Sequence, residues 1–226
     1  MENKKVLLGM SGGVDSSVSA LLLKEQGYEV IGTTLELFAG SSCCNINTYI
    51  DAKNVCNSIG IPHFTYDYKD EFKKHVIDDF IDCYKNCRTP NPCIECNKYM
   101  KFGFMYEKAK ELGCNYLATG HYAKKEYSEK YKRWVLKKSN AGKKDQSYVL
   151  WNIPKELIEH VLFPLADFKN KEEIREIARK KLSIMNSGYS HHGGSRTKKS
   201  LIGWMFGGGS PKEDIEDNIQ VLRERS

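Results

Sequence analysis

The sequence predicts an α/β fold: a doubly wound parallel sheet with helices on both faces, plus a small helical and hairpin appendage. Three observations lead there. Short apolar runs alternate with amphipathic stretches of 11–16 residues over the first 120 positions, a Ser/Gly-rich turn joins the first pair, and the alternation stops after Gly120.

Lys4 to Gly9 reads as a buried strand on Val6, Leu7 and Leu8. Ser16 to Gln26 reads as a helix, with Val18, Leu21 and Leu22 as apolar positions and Gly27 as its stop. Glu29 to Leu37 carries Val30, Ile31, Thr33 and Thr34, which favour a strand. Thr48 to Ile59 predicts a helix with Ala52, Val55 and Ile59 on one face. Pro62 to Tyr66 follows as a strand and Lys69 to Tyr84 as a helix. A helix over Asn97 to Leu112 and a strand over Asn115 to Thr119 complete the alternation. Beyond it, Tyr122 to Glu126 and Tyr131 to Lys137 predict a hairpin. Asp145 to Asn152 and Pro154 to Val161 predict short helices, and Lys171 to Lys181 a helix on Ile174, Ile177 and Ala178. From about Leu182 the texture changes. Gly193-Gly194-Ser195 and Gly207-Gly208-Gly209-Ser210 resemble the flexible linkers of engineered proteins, and Ser210-Pro211-Lys212-Glu213 forms a capping box for a final helix on Ile215, Ile219 and Leu222.

Composition bounds the function. A 40% hydrophobic chain with 13 tyrosines is not wholly disordered, and a mean hydropathy of −0.55 without an apolar run near 18 residues predicts no membrane span. The apolar patch before Ser11 is too short for a signal peptide, which predicts a cytoplasmic protein. Its eight cysteines therefore read as metal-binding, catalytic or buried rather than disulfide-paired. The net charge of +6 is uneven: Lys124 to Lys144 holds eight lysines and Arg133 against Glu126 and Glu129. Such a ribbon is either a solvated face or a contact for a phosphate backbone; the interleaved Tyr127, Tyr131 and Trp134 favour the second.

The strongest chemical signal is Ser11-Gly12-Gly13-Val14-Asp15-Ser16-Ser17, between a strand and a helix. Two glycines let backbone N–H groups approach an anion, and the helix points its positive end at the same place. Ser11, Ser16 and Ser17 bring hydroxyl donors, and Asp15 is a candidate ligand for a magnesium ion on phosphate oxygens. A Walker A loop would end in Gly-Lys-Ser/Thr, and no lysine stands here. The second signal runs from Arg88-Thr89-Pro90-Asn91-Pro92-Cys93 through Ile94-Glu95-Cys96-Asn97-Lys98 to Lys101-Phe102-Gly103. Its prolines predict a stiff loop ending at a helix start near Asn97, where the dipole, Lys98 and Lys101 would activate the Cys96 thiol. The alternative is a structural zinc site of Cys83, Cys87, Cys93 and Cys96. Ala118-Thr119-Gly120-His121-Tyr122 and Lys144-Asp145-Gln146-Ser147-Tyr148 are weaker signals; a lone histidine is more often a hydrogen-bonded filler than a catalyst.

The first run resembles the SGGxDS signature of the PP-loop ATP pyrophosphatases, which cleave ATP between the α- and β-phosphates and leave AMP on a substrate oxygen. All four segments in this order, with Gly60-Ile61-Pro62 and Leu162-Phe163-Pro164-Leu165, resemble the tRNA-specific 2-thiouridylases over about Lys4 to Lys181. The resemblance implies a PP-loop catalytic domain over 1–122, a tRNA-contacting segment over 123–182 and an atypical Gly-rich tail over 183–226. It implies ATP binding by Gly9, Met10, Ser11, Gly12, Gly13, Val14, Asp15 and Ser16, with Leu35 and Gly120 lining the adenosine site. Asn91, Pro92 and Cys93 would contact the target uridine, Cys96 would be the first catalytic cysteine, and His121, Lys144, Asp145 and Gln146 would touch tRNA. The implied reaction is ATP-dependent 2-thiolation of the wobble uridine by a tRNA-uridine 2-sulfurtransferase. Its implied partners are tRNA, Mg2+ and a sulfur donor or carrier protein, and no membrane. Extraction of the base from its stack is part of it.

Two departures stand out. Many members carry aspartate where this chain has Cys93, a position proposed to assist protonation; Cys93 with Cys96 makes a Cys-x-x-Cys pair like that of the subset thought to hold a 4Fe-4S iron–sulfur cluster, although two thiols do not distinguish iron from zinc. The family's second catalytic cysteine, about a hundred residues after the first, has no counterpart. No cysteine follows Cys114, Ser187-Gly188-Tyr189-Ser190-His191-His192 stands in its place, and the family's C-terminal β domains are missing. Three explanations are open: another sulfur route, a truncated or grafted chain, or a protein that has lost sulfur transfer. Rival functions are a PP-loop enzyme adenylating a carboxylate or amide, and a non-catalytic tRNA- and ATP-binding module.

Overall fold

The computed structural model describes residues 4–38 and 46–187. The first βαβ unit runs through β1 (Lys5–Gly9), α1 (Val14–Glu25) and β2 (Glu29–Glu36). Next come α2 (Ile46–Ile59), β3 (His63–Asp67), and a helical run 69–85 made of α3 (Lys69–Phe72), a π-helical turn (Lys73–Ile77) and α4 (Asp78–Lys85). A second run, 92–111, consists of α5 (Pro92–Glu95), a π-helical stretch (Cys96–Phe104) and α6 (Met105–Glu111), and leads to β4 (Tyr116–Ala118). After it come the hairpin β5 (Ala123–Ser128) and β6 (Arg133–Lys138), 3₁₀ turns, β7 (Val161–Leu162) and α7 (Lys171–Ser187).

The main sheet has five strands in the order β3-β2-β1-β4-β7, all parallel. Side chains alternate across it. Leu7 stands in register with Ile31 and Leu117, and this row packs on Met100, Met105 and Ala109 of the second helical run. Val6 and Leu8, one residue off, face the other layer, where α1 packs on β1 and β2 and against α2 and α7. Val6, Leu7 and Leu8 are completely buried, which stabilises by roughly 1.5–3 kcal/mol for each side chain. Helices therefore cover both faces, as predicted.

Two expectations are corrected. Pro154 to Val161 is not a helix: a 3₁₀ turn (Ile158–His160) precedes Val161 and Leu162, which pair with Leu117 and Ala118 as the fifth strand. Two residues are too few for alternation to show, so the pairing is tertiary. The helix expected near Asn97 begins at Pro92, because Asn91 caps it by accepting from Ile94 N and proline is suited to the first helical position. Cys93, not Cys96, thus lies in the first turn.

The described residues belong to one compact unit, Met1–Ser190. α7 continues to Ser187, past the expected boundary at 182, and the expected final helix lies outside the described residues. Among the described residues no helix is long and apolar enough to cross a membrane. The neighbours of β1 lie on opposite sides, so the chain leaves it in opposite directions, which opens a crevice beyond Gly9 and Ala118.

Candidate functional site

The Ser/Gly turn occupies that crevice. Gly12 has φ +71°, and a side chain there would press on Thr48 O at 3.0 Å and Asp51 Cβ at 3.1 Å; the position is therefore closed to other residues. Gly13 is the N-cap of α1 and has no side chain to cap with, so the leading N–H groups stay available to an anion. Ser16 Oγ accepts from Ser11 N (3.3 Å) and donates to Gly13 O (3.0 Å), and Ser17 Oγ donates to the same carbonyl (2.9 Å). Both are buried, so these hydroxyls shape the loop rather than face a ligand; Ser11 is exposed. Met10 is buried, with its N–H on Thr33 O and its carbonyl accepting from Thr34 Oγ1.

Gly120 forms the opposite wall. A Cβ on it would stand 3.2 Å from Asp15 C and Ser16 N, so backbone meets backbone across the crevice. Gly9 is similarly close to Met105, which ties the helical run 92–111 to the loop. Leu35 is buried in the core cluster with Met100 and Phe102. Val14 is the first residue of α1.

Asp15 is the loop's one charged side chain, and both of its oxygens are engaged. Tyr122 OH donates to Oδ1 (2.8 Å) and Lys171 Nζ to Oδ2 (3.0 Å). Burial, then the bond to this carboxylate, raises the Tyr122 pKa well above the usual phenol range. Neither partner was identified from the sequence: Tyr122 was only the last letter of a weak segment, and Lys171 lies 156 residues away.

The 144–147 segment is a braced turn. Asp145 accepts from Ser139 N (2.7 Å), Ser147 N (3.3 Å) and Ser147 Oγ (2.6 Å), bonds that lower its pKa against the opposing effect of burial. Gln146 pairs twice with Tyr122, N–H to carbonyl (2.8 Å) and Oε1 to N–H (3.0 Å). These two therefore position the turn, and Lys144 is exposed beside them. His121 is buried: Nδ1 bonds Thr119 Oγ1 (2.8 Å) and Nε2 faces Lys101 Nζ (3.5 Å), so its ring does not present itself to a nucleic acid.

Asn91, Pro92 and Cys93 are exposed and Cys96 is half-buried. Their turn packs against Ser147–Leu150, which joins the cysteine and lysine segments on one surface. Tyr148 and Trp151, about two-thirds exposed, flank that junction.

The proposed metal groups meet this geometry unequally. Among the described residues no three of His, Cys, Asp and Glu come together to hold a metal. Cys83 is buried with its thiol toward Asp79 and Cys87 is exposed, so the four-thiol zinc reading fails. Among the described residues no third thiolate stands beside Cys93 and Cys96, and Cys43 and Cys44 lie outside the described residues. Magnesium on nucleotide phosphates is compatible with one carboxylate, Asp15.

The hairpin is held by cross-strand pairs. Lys124, Lys132 and Lys137 are bound to Asp167, Glu129 and Glu126 at 2.7–2.9 Å, whereas Lys130 and Arg133 lie over Tyr131. A concavity of about 420 Å³ between hairpin and the 155–159 turn is lined by Tyr127, Tyr131, Trp134 and charged neighbours.

The family model described as tRNA methyl transferase HUP domain matches residues 4–191. The tRNA-specific 2-thiouridylase MnmA of Clostridioides difficile (strain 630) is 51% identical over 184 residues, 78% of this chain and 51% of that protein. The tRNA-specific 2-thiouridylase MnmA 1 of Syntrophus aciditrophicus (strain SB) is 52% identical over 184 residues, 79% and 49% respectively. The chain spans about half the length of the curated relatives it matches. Among solved structures, the U34-tRNA thiolase NcsA from Methanococcus maripaludis with its 4Fe-4S cluster aligns at TM-score 0.49 and 19% identity, over 97% of this chain and 66% of that one.

Proposed function

Because the chain belongs to the tRNA methyl transferase HUP domain family, we propose that it acts as a tRNA-uridine 2-sulfurtransferase, thiolating the wobble uridine of tRNA at C2 at the expense of ATP. The observation that carries this reading is the crevice at the sheet's switch point. A side-chain-free N-terminus of α1 faces it and Gly120 closes it against the backbone of Asp15 and Ser16. Such a site receives phosphates by backbone N–H groups and helix polarity. The uridine C2 oxygen attacks the α-phosphorus of ATP and pyrophosphate leaves into this loop. A persulfide carried on Cys96, loaded by a sulfur donor or carrier protein, then attacks C2 through its outer sulfur and AMP leaves. A thiol of the donor attacks Cys96 Sγ, the S–S bond breaks to free 2-thiouridine, and a mixed disulfide remains on Cys96 for a further thiol to reduce. Bound magnesium, held through Asp15, would neutralise phosphate charge. Asn91, Pro92 and Cys93 stand exposed on the turn that would receive the extracted base, and that turn packs against Ser147–Leu150.

The test is nucleoside mass spectrometry of tRNA incubated with the chain, ATP, magnesium and a persulfide source. We expect 2-thiouridine with the wild type and none with Cys96→Ser, whose ATP binding stays intact; thiolation retained by Cys96→Ser overturns the role of that residue. A second reading rests on the lack of cysteine after Cys114: the chain adenylates uridine and takes sulfide directly. It predicts tRNA-dependent AMP formation and thiolation by sulfide that survives Cys96→Ser.

A further inference from the structure

The phosphate loop contains no cation of its own, and the only charge within it, Asp15, repels a polyanion. The fold brings a cation to it from elsewhere. Lys171 Nζ lies 3.0 Å from Asp15 Oδ2, and the two side chains are 35% and 28% exposed, so the pair sits at the rim of the crevice rather than in the core. Helix stability gives no reason for this placement: Lys171 is the first residue of α7, where a positive charge opposes the helix dipole. Its backbone is nonetheless fixed. Asn170 Oδ1 accepts from the N–H groups of Glu172 and Glu173, both at 3.0 Å, and Glu173 bonds back to Asn170 Nδ2 (2.9 Å). Ile174 and Ala178 are fully buried where α7 packs on α1 and α2. A rigid helix thus presents a long flexible ammonium arm at the mouth of an anion site.

We propose that Lys171 is the phosphate-binding cation of this loop, delivered by the fold in place of a lysine within the loop, and that Asp15 holds it ready when no nucleotide is bound. The ammonium moves from Oδ2 to the β/γ-phosphates of ATP, later the released pyrophosphate, and Tyr122 OH keeps Asp15 in place through Oδ1. The proposal rests on the nucleotide-binding reading above and adds to it the residue that distinguishes pyrophosphate-bearing ligands from AMP.

The experiment is calorimetric titration of the full chain with ATP, inorganic pyrophosphate and AMP, each with magnesium chloride at fixed ionic strength. For Lys171→Met, and for Lys171→Gln should the first variant fold poorly by circular dichroism, we expect affinity for ATP and pyrophosphate to fall tenfold or more. Affinity for AMP should stay within about twofold, and Lys171→Arg should retain most pyrophosphate binding. Equal weakening toward all three ligands makes Lys171 merely structural and overturns the proposal, as does unchanged pyrophosphate affinity. A wild type that binds none of the three overturns the nucleotide reading itself, and the proposal with it.

Discussion

His121 lies between a hydroxyl and an ammonium. A lysine ammonium only donates, so Nε2 accepts from Lys101, and the ring proton stays on Nδ1, donating to Thr119 Oγ1. Burial first, and the Lys101 charge second, push its pKa well below the ordinary histidine value. In the unfolded chain the ring titrates near 6.5, so below that pH the unfolded state takes up a proton that the folded state refuses. The stability due to neutral His121 is complete above about pH 6.5 and declines as pH falls, by at most about 1.4 kcal/mol per unit. His63, lowered by burial and by Lys53, adds in the same direction. Urea denaturation from pH 7.5 to 5 should show this loss, and His121→Asn should flatten it; an identical slope in the variant contradicts the assignment. At this scale the sequence displayed backbone-determined positions best. Gly12 and Gly120 stand where a side chain would press on neighbouring backbone, and Gly12 also has a positive φ, whereas the hydroxyls of Ser16 and Ser17 turned inward and His121 proved buried. The partners of Asp15 were illegible because nothing local marks Tyr122 or Lys171; only packing brings them to the carboxylate.

Helix α7 depends on its first turn. Asn170 satisfies two of its leading N–H groups, and Lys181 pairs with Glu25 of α1 farther along. Asn170→Ala should cost about 1 kcal/mol, seen as a lower urea midpoint at unchanged slope; a change within 0.2 kcal/mol, about the error of such fits, would leave the cap without a role. The long elements were readable from periodicity, and the α7 start at Lys171 was found to the residue. What escaped was what periodicity does not encode. β7 is two residues whose strand character exists only beside β4, and the helix at Pro92 was hidden because a pair of prolines suggests a loop until Asn91 is seen capping it. The π-helical stretch at Cys96–Phe104 has no sequence period of its own.

Across the molecule, the basic ribbon is less uniform than its composition suggests. Lys124, Lys132 and Lys137 are bound to carboxylates, while Lys138, Lys143 and Lys144 are exposed. Each lysine on a phosphate contributes roughly 0.7–0.9 to the slope of log affinity against log salt. Replacing Lys138, Lys143 and Lys144 together by glutamine should reduce the slope for tRNA by about two, measured by fluorescence anisotropy over a potassium chloride series. Lys124→Gln with Lys132→Gln should reduce it by less than one; equal reductions would show that internal pairing does not decide which lysines meet RNA.

The central position of β1 also sets the order of events during synthesis. Its pairing with β2 closes after some twenty residues, but Leu7 meets Leu117 only after about 110. At roughly 5–20 residues per second of translation, the strand emerges from the ribosome with one bare edge for on the order of 5–20 s. During that interval the three most apolar residues of the amino end wait for a neighbour that has not yet been made, and the nascent chain is then at its most vulnerable to intermolecular strand pairing.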